Sequence, residues 1–206
     1  MQIFLLRHGE TRWNREGRCQ GSSDIELNET GHRQAGEVAA HLSRRRIDAV
    51  YSSDLRRARQ TAEIVGEPHD IAVNIEPDLR ELDHGEMEGL TFVEVRERFA
   101  ELIELWRSQP LAVVLPGGER LIDVERRTWS ALNRIVENHD AEDSIVVVSH
   151  TFPIVSILCR ISRTSLNQYR TFHLKPCDFS HVSFTRAGGW EIREAVATPP
   201  QVRESA

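Results

Sequence analysis

Four short apolar, β-branched runs, "IFLL" at 3–6, "DAVYSS" at 48–53, "IAVNIE" at 71–76 and "SIVVVSH" at 144–150, alternate with stretches of helical periodicity, which leaves few folds open. Runs of this length without polar alternation are what strands covered on both faces look like, as in a parallel sheet flanked by helices. Between the first two runs, Ala35, Val38, Ala39 and Leu42 recur at helical spacing, with Asn28 or Thr30 as an upstream cap. Further helical patterns follow at Phe92, Val95, Phe99, Leu102, Ile103 and Trp106, and at Val124, Ala131, Leu132 and Ile135. Near the end, "HVSFTR" and "WEIREA", parted by Ala187, Gly188 and Gly189, read as a hairpin added at a sheet edge. The predicted fold is α/β: a three-layer α/β/α sandwich whose mainly parallel sheet carries an antiparallel edge strand.

A length of 206 residues suits one domain, expected over 1–198 with a helical cap insertion at about 85–120 and a flexible tail at 199–206. The Pro116-Gly117-Gly118 turn parts the helical patterns within 90–139, a pair expected to lie over a site as a partial lid. The run Arg44-Arg45-Arg46 reads as the close of a helix, where cations favour the negative end of the dipole. With 26 basic against 32 acidic residues and a net charge of -6, the surface as a whole repels nucleic acid and anionic lipid, so neither is an expected partner. An anionic substrate then needs a local positive site. The widely spaced Cys19, Cys159 and Cys177 fit reduced thiols in a cytoplasmic protein, and no run approaches the roughly 18 apolar residues that span a membrane. The hairpin edge at 180–195 is where a homodimer would form by strand addition.

Two of the runs end in histidine, the first at Arg7-His8 and the fourth at His150. If both are parallel members of one sheet, the two histidines emerge at the same carboxyl edge, where ligands bind in open α/β sheets. In "YSSDLRRARQTA" a strand gives way to a helix near Ser53; on that helix Ser53, Arg57 and Thr61 share one face, while Arg56 and Arg59 are turned aside toward solvent and acids such as Glu63. In "LRELDHGEMEG", Glu81 and Glu88 bracket Asp83 and His84, and a carboxyl there is either a proton donor or a solvated loop charge. No H-E-x-x-H, no G-x-x-x-x-G-K-[ST] and no cysteine with an arginine six positions on is present, so neither a metal nor a nucleotide cofactor is expected.

Taken in order, "LLRHGET" with Asn14 following, "SSDLRRARQTA", "LRELDHGEMEG", "PGGE" and "VVVSHT" resemble the histidine phosphatase superfamily, which includes the phosphoglycerate mutases. The resemblance implies that His8 is a nucleophile that takes a phosphoryl group and passes it to water or to a second substrate. A covalent phosphohistidine splits one hard displacement into two easier ones, provided cationic donors already surround the three equatorial oxygens. Arg7, Arg57 and His150 are the candidates for that role, with Asn14 as a neutral donor and Glu81 at the family's acid position. Asn14, Gly21, His84 and Thr151 form the expected substrate-binding set, and no metal is required. His150 serves best when protonated, which a bound dianion favours.

The stretch between Glu81 and Glu119 is short, with no segment resembling the arginine-rich cap of the cofactor-dependent mutases, so hydrolysis is the preferred reaction and mutase activity the runner-up. Arg96, Arg98 and Arg107 are either a solvated helix face or a site for a second anionic group. The "DHG" and "VVVSHT" stretches resemble metal-independent phosphoserine phosphatases, in which a histidine at the position of His84 lies close to substrate. The expected substrate is thus a small phosphorylated metabolite, with phosphoserine the leading candidate and α-ribazole phosphate an alternative. His84 otherwise caps its own loop, and Thr151 otherwise begins the next helix as its N-cap. A non-catalytic phospho-ligand binding module ranks low because His8 and Glu81 are both present.

Overall fold

The computed structural model describes residues 1–197, so the tail expected at 199–206 lies outside the described residues. Strand β1 (Gln2–Arg7) pairs in parallel with β4 (Ser144–Ser149), and β4 in turn with β2 (Ala49–Ser52), which pairs with the short β3 (Val73–Ile75). On the other side of β1, β5 (Phe179–Thr185) and β6 (Gly189–Ala197) run antiparallel, giving the order β3-β2-β4-β1-β5-β6. The antiparallel part is the hairpin expected from "HVSFTR" and "WEIREA". Partnering of Arg7 with Ser149 brings the ends of β1 and β4 level, which sets His8 and His150 side by side.

Successive strand residues face opposite sides, so each apolar run feeds two cores at once. Phe4, Leu6, Val50, Val146 and Val148 pack beneath α2 (Glu29–Leu42) and α3 (Arg56–Gly66). Ile3, Leu5, Ile145 and Val147 pack beneath α6 (Leu121–Glu137) and α7 (Thr151–Ser162). This is the expected three-layer sandwich.

Several expectations shift locally. Asn28 does cap α2, accepting from the Gly31 N–H, whereas Thr30 lies inside the helix. That helix ends at Leu42, and Arg44, Arg45 and Arg46 fall beyond it because the chain must turn there to bury Ile47 and enter β2. Likewise α3 begins at Arg56, so Ser53 stands before the helix and not on it; its Oγ accepts from the Leu55 N–H. The pattern from Phe92 to Trp106 breaks at Phe99, whose φ and ψ of -124° and 37° are not helical, into α4 (Phe92–Arg98) and α5 (Ala100–Ser108). Both helices line the cavity at the carboxyl edge, through Val95 of α4 and Leu102, Ile103 and Trp106 of α5. The lid expected from the whole 90–139 stretch is corrected to this half, because α6 carries the buried stripe Leu121, Val124, Ala131, Leu132 and Ile135 that commits it to the sheet layer beside α7. Among the described residues, no helix is long and apolar enough to cross a membrane.

Candidate active site

His8 follows β1 directly, and its backbone N–H donates to the Ser149 carbonyl at 3.0 Å, which ties the residue to the end of β4. Its ring Nδ1 lies 2.7 Å from the Gly9 carbonyl oxygen. A carbonyl only accepts, so Nδ1 carries the proton and Nε2 is left with its lone pair. The ring centroid of His150 is 5.0 Å away, and both rings are buried. Burial first, then the Arg57 guanidinium, pushes both histidines well below the ordinary imidazole value, so each is neutral near pH 7 in the free site.

Arg57 extends from the first turn of α3 and is wholly inside the protein, at 0% exposure. Its Nη1 donates to the Ser23 carbonyl and its Nη2 to the Gly21 carbonyl, each at 2.7 Å. Burial lowers it to about 10, which still leaves it cationic at neutral pH. Thr61, one turn further along α3, donates to the Arg57 carbonyl and accepts from the Gly9 N–H at 3.1 Å, so the helix is pinned to the His8 loop. Arg7 donates through Nη1 to the Leu174 carbonyl at 2.5 Å, and burial lowers it as well. Among the described residues, buried side-chain nitrogens without a hydrogen-bond partner gather here: Arg7 Nε, Arg57 Nε, His84 Nδ1 and both ring nitrogens of His150, with His69 Nε2 the one elsewhere. Buried polar groups are almost always paired, so a cluster of unpaired nitrogens, two of them on cationic arginines, has the chemistry of an anion site.

Asn14 is the third residue of α1 (Arg12–Glu16) and closes a capping box with Thr11, whose N–H donates to Asn14 Oδ1 at 3.0 Å. The amide nitrogen is thereby the end free to donate into the cavity that Asn14 lines. Gly21 lines the same cavity at a φ of 51°, and a Cβ there would fall 2.0 Å from a Glu88 carboxylate oxygen. Its carbonyl is committed to Arg57, so its contribution is to aim that guanidinium.

Glu81 and Glu88 have different situations. Glu88 accepts from Ser22 N–H at 2.6 Å, from the Ser23 hydroxyl and from His84 N–H at 3.3 Å, so it braces two loops against each other. Glu81 lines the cavity and accepts from the N–H groups of Leu82, Thr151 and Phe152 at 2.9, 3.0 and 3.1 Å. The last two are the first N–H groups of α7, which are unsatisfied within any helix. His150, not Thr151, occupies the N-cap position and offers no side-chain cap, so the N-cap reading of Thr151 is corrected: a glutamate from another segment satisfies this helix end. The ring of His84 makes no cap bond either, which corrects the loop-capping alternative; it is half-buried, its pKa lowered first by desolvation, and it meets Phe152 edge-on at 5.8 Å.

The loop carrying Glu81 is held by two residues that the sequence reading left without a role. Arg127 of α6 donates to the carbonyls of Asp78, Arg80 and Glu81 at 2.8, 2.6 and 2.9 Å and makes a two-pronged pair with Glu119. Glu119 also accepts from the Asp83 N–H at 3.2 Å. The "PGGE" motif pointed at Glu119, but nothing in the local sequence marks Arg127, whose three carbonyl partners lie more than forty positions away. Arg56 and Arg59 are surface residues paired with Glu26 and Glu63, as expected. Arg96, Arg98 and Arg107 are exposed and do not line the cavity, so their solvated reading holds. Among the described residues, no group of three or more His, Cys, Asp or Glu side chains is arranged to hold a metal ion.

Comparison with known proteins extends the geometry. The chain is 34% identical to phosphoserine phosphatase 1 of Hydrogenobacter thermophilus over 180 residues, covering 87% of this chain and 85% of that protein. It is 39% identical to phosphoglycerate mutase-like protein 4 of Arabidopsis thaliana over 184 residues, covering 83% and 80%. The solved structure of the mycobacterial glucosyl-3-phosphoglycerate phosphatase with VO3 matches with a TM-score of 0.87 at 27% identity, over 95% of this chain and 98% of that one. The model of the histidine phosphatase superfamily (branch 1) matches residues 3–198, and with paired strand-end histidines beside Arg7 and the buried Arg57 the chain belongs to that superfamily.

Proposed function

We propose that this protein is a metal-independent phosphomonoesterase that hydrolyses a small phosphorylated metabolite through a phosphohistidine at His8. The observation that carries the reading is the His8 ring itself: Nδ1–H is tied to the Gly9 carbonyl, leaving Nε2 as a neutral nucleophile beside unpaired donors of Arg7, Arg57 and His150. In the first half-reaction, Nε2 attacks phosphorus, the N–P bond forms, and the P–O bond to the alcohol breaks. The leaving oxygen takes a proton from Glu81 in its protonated form and departs as the alcohol. In the second, water attacks phosphorus and loses a proton to the Glu81 carboxylate; the N–P pair returns to the imidazole, and phosphate leaves. Arg7, Arg57 and Asn14 donate to the equatorial oxygens throughout, and a dianion beside His150 draws a proton onto that ring.

Hydrolysis is favoured over mutase chemistry because the cap arginines that would hold a second phosphate are exposed and away from the cavity. Phosphoserine, the ester suggested by the "DHG" motif and named for the Hydrogenobacter relative, is one arm of the test. Phosphate release is measured in excess EDTA from phosphoserine, 3-phosphoglycerate, α-ribazole phosphate and p-nitrophenyl phosphate, with phosphoglycerate interconversion followed alongside. Release without metal, through an acid-labile phosphoenzyme that His8→Ala does not form, is the expected result. Interconversion without release would overturn hydrolysis in favour of a mutase.

A further inference from the structure

The cavity has two unlike ends. One is lined by Arg7, His8, Asn14 and Arg57; the other is walled by Val95 of α4, Leu102, Ile103 and Trp106 of α5, Leu115 of the following turn, and Phe152 of α7. Trp106 spends its only polar atom on Tyr169, donating from Nε1 to the phenol oxygen at 2.9 Å, so its ring offers only carbon to the cavity. Phe152 meets that ring edge-on at 5.7 Å, which makes a firm aromatic wall.

Charge is scarce at this end. Arg18, the remaining cation among the lining residues, is already bonded to the Glu16 carboxylate at 2.7 Å and to the Gly89 carbonyl at 2.8 Å. His84 is held toward its neutral form by burial, and Glu81 is the acid that faces the cavity. A carboxylate on the alcohol would lose its hydration there and meet no free counter-charge in return. The cavity volume of about 300 Å³ is at the small end of ligand sites, enough for a phosphate and one ring or branched chain.

We infer that the α4–α5 cap is a leaving-group chamber that selects phosphate monoesters of uncharged alcohols with a compact aromatic or branched aliphatic body. This rests on the phosphatase reading and narrows it: the phosphate end supplies the chemistry, and the cap chooses the alcohol by burying carbon. Charged alcohols, phosphoserine and 3-phosphoglycerate among them, are the disfavoured class.

The test compares kcat/KM in excess EDTA for 2-phenylethyl phosphate, ethyl phosphate, phosphoserine, 3-phosphoglycerate and p-nitrophenyl phosphate. The first two leave as primary alcohols of similar basicity, so their ratio reads the chamber and not the leaving group. The expected result is a preference of roughly 10- to 100-fold for the phenylethyl over the ethyl ester, with phosphoserine below both. Equal rates for the first two, or phosphoserine at or above 2-phenylethyl phosphate, would overturn the chamber while leaving the phosphatase reading intact. No release from any ester, p-nitrophenyl phosphate included, would overturn the phosphatase reading and the chamber with it. In Ile103→Asn, and in the milder Ile103→Thr should the first not fold, the phenylethyl-to-ethyl ratio falls toward one; an unchanged ratio in a folded variant would place the selection elsewhere and overturn the role of the cap.

Discussion

Strand β4 has a histidine near each of its ends, and the two are held in opposite ways. Before its amino end, half-buried His139 is bonded at both nitrogens, through Nε2 with the Tyr51 hydroxyl at 3.0 Å and through Nδ1 with Asp143 Oδ2 at 3.1 Å. After its carboxyl end, His150 is fully buried and bonded at neither. Leaving a buried polar group unpaired costs about 1–3 kcal/mol, so the same residue type serves the fold at one end and opposes it at the other. The difference teaches that the carboxyl edge is shaped for something other than stability.

Several experiments break or sharpen that contrast. The largest effect is expected from His8→Ala, which removes the nucleophile and should lower turnover by roughly 10⁴-fold or more while the protein remains folded by circular dichroism. Glu81→Gln should slow alkyl phosphates by roughly 10²- to 10³-fold and p-nitrophenyl phosphate far less, since phenolate needs little help to leave. Equal losses on both would remove Glu81 from proton transfer. His150→Asn should cost roughly 10²-fold in kcat/KM without lowering the melting temperature, whereas His139→Phe should lower stability by about 1–2 kcal/mol and leave kcat/KM unchanged. If the two variants exchanged these effects, the contrast between the ends of β4 would fail.

The smallest effect is in the pH dependence of stability. His8 and His150 are held neutral in the folded site, chiefly by burial and then by Arg57, while the unfolded chain takes up their protons near the ordinary value of about 6.5. Their folded values are depressed, so protonation of the unfolded state draws stability away as pH drops below that value; above it there is no loss. Inorganic phosphate, which favours a protonated His150, should flatten the fall. Urea denaturation at pH 5, 6, 7 and 8, with and without phosphate, measures it; a fall that phosphate leaves unchanged would argue against proton uptake by His150 on binding.

Much of the site was legible because periodicity and edge position are local properties. Arg57 was selected by helical phase, and that selection survived even though Ser53 proved to stand before the helix, because Arg57 and Thr61 keep the four-residue relation that matters. The break at Phe99 was not legible, since its apolar spacing continues through the kink and only the backbone angles change. The split between the lid and the sheet layer was also hidden: α4–α5 and α6 show the same amphipathic pattern, and pattern alone does not say against what a face is buried.

By itself the sequence determined the alternation of strands and helices, the histidines at two strand ends, and the ordered motifs that place the chain in its superfamily. Those are short-range signals carried by neighbouring residues. Only the tertiary structure decided the tautomer of His8, the neutrality of both histidines, the bracing of the Glu81 loop by Arg127 and the apolar character of the chamber. Each depends on groups far apart in the chain, such as the Gly21 and Ser23 carbonyls for Arg57 and the Leu174 carbonyl for Arg7. Hydrogen bonds and desolvation act over a few ångströms of space, a distance that spacing along the chain does not measure.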